Sequence, residues 1–166
     1  MIRRLVFLGA LCGTAYGLSL APGSAYATKL DDLASPRQRV DVTPRWLHSG
    51  DTSDRGDDFH TLIAEIANLE VRLNTASYAG RRARIYLVVP QTIPGMRSSG
   101  ALRVEWRTRG ALHAGSAGAG SRTPVFEGIV PRPLLTEIFD FTLRYDSRQT
   151  GKGLRFEPFF DIEVLK

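Results

Sequence analysis

The chain has 166 residues, of which 43% are hydrophobic, 23% charged and 9% aromatic, and a formal net charge of +5. This apolar content is enough for one globular core, which excludes a disordered chain, a collagen-like repeat and, by length, an assembly of several large domains. A single cysteine rules out an intrachain disulfide framework and any site built on several thiolates.

Residues 1–27 read as a cleavable secretory signal peptide. Arg3 and Arg4 precede an apolar run over 5–20, and Ala25 and Ala27 flank Tyr26 as small residues before a cleavage point. Glycines interrupt that run, and it falls short of the roughly 20 apolar residues that span a bilayer. Cys12 follows Leu11, where a lipoprotein signal has a small residue, so lipidation is not expected. Cleavage after Ala27 leaves 139 residues without cysteine and, with Arg3 and Arg4 gone, a net charge of +3. The segment predicts export to the periplasm or the exterior of a bacterium, with no transmembrane segment after cleavage and no nucleic-acid partner. The use of 19 arginines against 3 lysines agrees with a bacterial source.

Residues 28–59 form a polar arm rich in Asp, Ser, Pro and Arg, with one edge strand near 39–43 and Trp46 as a lone aromatic anchor. The arm ends in HSGDTSDRGDDFH, which gathers Asp51, Asp54, Asp57 and Asp58 between His48 and His60. Asp51, Ser53 and Gly56 fit the first, third and sixth places of a calcium loop, but Arg55 stands at the fifth and Leu62 at the twelfth, where a bidentate glutamate is needed. The loop is therefore read as solvated, and no metal or cofactor is assigned.

Residues 60–166 are read as a single β-sandwich domain. Residues 61–68 fit either a short helix, with Leu62, Ile63 and Ile66 in a stripe, or the start of a long strand in which Ile63 and Ala67 continue the alternation of Leu69, Val71 and Leu73. Ile85, Leu87 and Val89 alternate with Arg84, Tyr86 and Val88, and Val104 and Trp106 with Arg103, Glu105 and Arg107. GSAGAGS reads as a flexible loop, and Leu134 to Ile138 as a helical turn. Phe139, Phe141, Leu143 and Tyr145 alternate with Asp140, Thr142, Arg144 and Asp146, and a second strand carries Leu154, Phe156, Phe160, Ile162 and Val164. The turn SRQTGKG between these two strands predicts a hairpin that sets Asp140, Arg144 and Asp146 beside Arg155, Glu157 and Asp161.

About 6–8 such strands without crossover helices require antiparallel pairing. Two rows of large side chains require two packed sheets, an immunoglobulin-like β-sandwich, with a small closed β-barrel as the alternative. Catalytic motifs are weak: Ser116 lacks the glycine two places before it that a nucleophile elbow needs, although His113 lies near it. Charge distribution supplies the one functional lead. Between 81 and 109 seven arginines stand against Glu105 alone, and Arg82, Arg84, Tyr86, Arg103 and Arg107 are predicted to share one outward face. Guanidinium forks bind carboxylate and phosphate in two-point fashion. The expectation is a non-enzymatic exported protein that binds or assembles with another envelope component. The alternatives are a module for carbohydrate or anionic lipid, and a hydrolase.

Overall fold

The computed structural model of the protein describes residues 27–36, 42–47, 60–151 and 153–166. Among these, β1 (Thr28–Lys29), β2 (Arg45–Trp46), β3 (Thr61–Asn74), β4 (Arg82–Val88), β5 (Arg103–Thr108), β6 (Gly115–Gly118), β7 (Arg122–Ile129), β8 (Leu134–Asp146) and β9 (Phe159–Val164) form two antiparallel sheets, with only single turns of 3-10 helix between them. One sheet has the order β1-β9-β4-β7 and the other β2-β3-β8-β5-β6. The chain is thus all-β and sandwich-like, and among the described residues its two sheets do not join into a closed barrel. All but the last residue of the leader expected over 1–27, the acidic loop and nearly all of the strand expected near 39–43 lie outside the described residues.

The pairing is nested. β5 pairs β6, β4 pairs β7, β3 pairs β8 and β1 pairs β9. The chain is therefore one long antiparallel ribbon, folded back between β5 and β6 and rolled so that β4 also meets β9 and β5 also meets β8. That order is the double Greek key of a jelly roll. An immunoglobulin-like domain keeps its last two strands in one sheet, whereas β8 and β9 belong to different sheets.

The predicted hairpin of the last two strands is accordingly absent. After β8, Thr150 bridges Met96, Gly151 N–H donates to the Gly95 carbonyl at 2.7 Å and Arg155 N–H to the Pro94 carbonyl at 2.9 Å. Docked on 94–97, the segment crosses to the other sheet before β9 begins. Gly95 permits this contact: its φ is +87°, and a Cβ there would lie 2.6 Å from the Leu154 backbone. None of the predicted pairs between these two segments forms: Arg155 pairs with Glu157 and Asp146 with Arg148 locally, while Asp140, Arg144 and Asp161 pair with Arg109, Glu105 and Arg122.

Residues 61–68 are strand, but their alternation is not the one expected. A bulge between Ile66 and Leu69, with Asn68 at φ +57°, resets the pleat. Leu62, Ala64 and Ile66 face inward before it and Leu69, Val71 and Leu73 after it. Ile63 thus lies on the outer face beside Arg144 and Arg45, where it is still buried. Two further segments depart from expectation, and a third is a strand for which none was stated. Leu134 to Ile138 belongs to β8 rather than to a helical turn, and Gly115–Gly118 is strand β6. Residues 122–129 form β7 despite Pro124, which an edge strand accommodates.

The core fills the space between the sheets. Phe139 and Phe141 on β8 stack at 5.2 Å, and Phe139 meets Phe160 of the opposite sheet at 5.6 Å. Trp106 is buried, and its Nε1–H donates to the His113 carbonyl. Gly115 makes room for the indole, since a Cβ there would sit 2.7 Å from the ring. The polar arm contributes more than expected: β1 and β2 are edge strands and Leu30 is core, whereas Trp46 is 51% exposed.

Candidate functional site

The five residues expected to share a face are divided between the two sheets. Arg82, Arg84 and Tyr86 point outward from β4, and Arg103 and Arg107 outward from β5, so they stand on opposite faces of the sandwich. The cause is the nested pairing: β4 and β5 are consecutive in the chain but belong to different sheets.

On the face around β4 each of the three arginines is matched by a carboxylate, while Lys29 lies over the Phe159 ring at 5.0 Å. Arg84 Nε and Nη2 both donate to Glu127 Oε2, at 2.7 and 2.5 Å, and Arg82 lies 3.8 Å from the same carboxylate. The Tyr86 hydroxyl donates to Glu163 Oε2 at 2.9 Å. The Arg122 guanidinium lies over the Tyr86 ring at 3.3 Å, within 3.5 Å of Asp161 and 3.7 Å of Glu163. Hydrogen bonding to Tyr86, and then to Glu127, raises the Arg84 pKa above its ordinary value. Three arginines here meet three carboxylates, and the register aligns them: Arg84 stands opposite both Glu127 and Glu163, and Tyr86 opposite Asp161.

The face around β5 keeps an excess of positive charge. Arg103 stands opposite Arg144, Glu105 opposite Thr142 and Arg107 opposite Asp140. Glu105 is shared between Arg103 at 3.6 Å and Arg144 at 3.8 Å, which offsets the repulsion of two like charges placed opposite each other. Asp140 takes Arg109 at 2.9 Å. Arg107 makes no ion pair among the described residues, although its field reaches Asp140. Four guanidinium groups thus meet two carboxylates on a strip about 13 Å long, the rise of the four residues from Arg103 to Arg107. Ser116 on β6 lies at its margin, 3.3 Å from Arg103.

Arg109 and Arg144, which the sequence reading did not include in its site, complete this strip. The alternation along β8 does place Arg144 outward, but only the register with β5 sets it beside Arg103. Glu137 was also missed. It points inward from β8 and is 3% exposed. Its carboxylate accepts from the backbone N–H of Arg109 at 3.0 Å, Leu112 at 2.9 Å and Ile138 at 3.1 Å. This buried anion fixes the 109–112 turn, and with it the point from which the Arg109 side chain reaches outward.

Among the described residues no group of three or more His, Cys, Asp or Glu is placed to hold a metal ion. No helix there is long and apolar enough to cross a membrane. His113 makes no hydrogen bond to Ser116 or Ser121. Comparison of the chain with protein-family models, with curated proteins and with solved structures gives no match.

Proposed function

We propose that the chain is an exported, non-enzymatic binding protein of a bacterial cell envelope, delivered by the signal peptide at 1–27, and that it engages the carboxylates or phosphates of another envelope component through Arg103, Arg107, Arg109 and Arg144. The observation that carries this reading is the contrast between the two faces. Both present arginines, yet only the five-stranded sheet leaves them in excess over their carboxylates, with Arg107 outside any ion pair among the described residues. On the four-stranded sheet each arginine is matched by a carboxylate, so a new anion must displace an existing one, whereas on the five-stranded sheet four guanidinium groups share two carboxylates and retain capacity for a further anion. Within this reading Arg82, Arg84 and Tyr86 stabilise the fold, and Arg103 and Arg107 keep the binding role expected of them.

The test is crosslinking of the tagged protein in its own cells, at low and high ionic strength, followed by mass spectrometry. Capture of one envelope component that weakens as salt is raised supports the reading, because screening shortens the reach of exposed charges to a few ångström at about 1 M. A partner captured equally at both ionic strengths, or no partner at all, refutes it.

A further inference from the structure

The two sheets are unequal in length. β3 and β8 run for 14 and 13 residues, whereas β4 and β9 run for 7 and 6. The inner face of the β3–β8 pair therefore extends past the strands opposite it. Over this end lies the irregular crossing segment that carries Leu154 and Phe156, with Val42 and Pro44 at the side. Between floor and cover is a cleft of about 770 Å³. A volume of that size is in the range that holds a small organic ligand.

The floor is apolar: Leu62 stands opposite Tyr145, and Ala64 opposite Leu143. Tyr145 is the exception in chemistry. Its side chain lines the cleft and the residue is 4% exposed, yet its hydroxyl has no hydrogen-bond partner among the described residues. Every described side-chain N or O that is fully shut off from solvent does have one. The hydroxyl is therefore the wetted tip of an otherwise buried ring, at the wall of the cleft. A phenol held in this way is a donor without an acceptor. The remaining polar groups, Thr150, Arg155 and Glu157, line the cleft from the crossing segment, and the last two are paired with each other.

We infer that this cleft is a binding site for a small amphiphile, with an aliphatic or aromatic body lying along Leu62, Ala64 and Leu143 and one hydrogen-bond-accepting oxygen seated on the Tyr145 hydroxyl. The site is separate from the arginine strip, which occupies the outer face of the same sheet, and neither depends on the other. Desolvation raises the Tyr145 pKa above its ordinary value, which keeps the phenol protonated as the donor. Trp46 offers a reporter: it stands opposite Leu62 in the register, two residues from Pro44 in the lining, and is half exposed.

The test uses 1-decanol as probe on the full chain, read by amide chemical shifts and by Trp46 fluorescence. The expected result is saturable binding, with the largest shifts at Gly151 and Gly153. Tyr145→Phe, which removes only the hydroxyl, is expected to weaken binding about fivefold, the worth of one neutral hydrogen bond. Leu62→Trp, which sets a bulky ring across the floor opposite Tyr145, is expected to weaken binding, with Arg107→Ala without effect. Absence of saturable binding up to the solubility limit overturns the proposal, as do shifts centred elsewhere or equal affinity in Tyr145→Phe. If Tyr145→Phe fails to fold, unchanged binding in a folded Leu62→Trp overturns it as well.

Discussion

Replacing Glu137 by glutamine keeps the size of the side chain and removes its charge and half of its accepting capacity. The carboxylate serves three backbone N–H groups, with Oε1 accepting from Arg109 and Ile138 and Oε2 from Leu112. A glutamine has one oxygen, so its NH2 must face at least one of these donors, and a buried N–H left without an acceptor costs about 1–3 kcal/mol. Loss of the charge on the remaining bonds adds roughly 1 kcal/mol, because hydrogen bonds to ionised groups are about twice as strong as neutral ones. The expected destabilisation is about 2–4 kcal/mol, or a melting temperature lower by on the order of 10 °C for a domain of this size. Relief of carboxylate burial reduces the figure without cancelling it, since the amide is buried too. Urea unfolding gives the energy, and hydrogen exchange at the Leu112 amide gives the place. A loss below about 0.5 kcal/mol with the Leu112 amide equally protected would refute the view that this carboxylate fixes the turn.

Two further outcomes follow from the same contacts. The Asn68 backbone N–H, and then the Arg109 guanidinium, hold the Asp140 carboxyl below its ordinary 3.8. Its stabilising effect is therefore complete above that value and is lost as pH falls through it toward the lower native value. Thermal melts between roughly pH 5 and pH 2 should decline less steeply in Asp140→Asn than in the parent, and parallel curves would contradict the assignment. Gly80 and Gly95 both have positive φ, +77° and +87°, but a Cβ meets nothing within 4 Å at Gly80 and lies 2.6 Å from the Leu154 backbone at Gly95. Alanine should cost about 1–2 kcal/mol at Gly80 from the left-handed backbone alone. It should cost clearly more at Gly95, where the crossing segment must also move, and equal losses in urea unfolding would refute that contact.

What could be read from the sequence is what alternation encodes directly. Phe139, Phe141, Leu143 and Tyr145 face inward as their period-two spacing requires, and Trp106 is core although arginine follows it and glutamate precedes it. The pairing of those strands could not be read in the same way, because pairing is not local. β3 reaches β8 across some seventy residues, and the short polar turn after β8 resembles a hairpin loop until Gly95 is seen to accept the chain and divert it. Alternation itself misleads where a bulge intervenes, as at Asn68, which moves Ile63 to the outer face. The arginine band suffered from both effects. Each arginine points outward as expected, but an outward direction has no address until the sheet is known. The nested ribbon sends Arg82 and Arg84 to a face whose arginines Glu127, Asp161 and Glu163 match, and Arg103 and Arg107 to one where Arg109 and Arg144 join them.

The strip on β5 and β8 has an excess of two positive charges, and Arg103→Ala with Arg107→Ala brings it to zero. Arg81→Ala with Arg82→Ala changes the net charge of the protein equally but leaves the strip intact. The yield of the crosslinked envelope component, measured for both double variants in cells, tests the assignment most directly. Capture is expected to fall to background in the Arg103 and Arg107 variant and to stay at the parental level in the Arg81 and Arg82 variant. Equal yields from the two, or loss in the second alone, would contradict it.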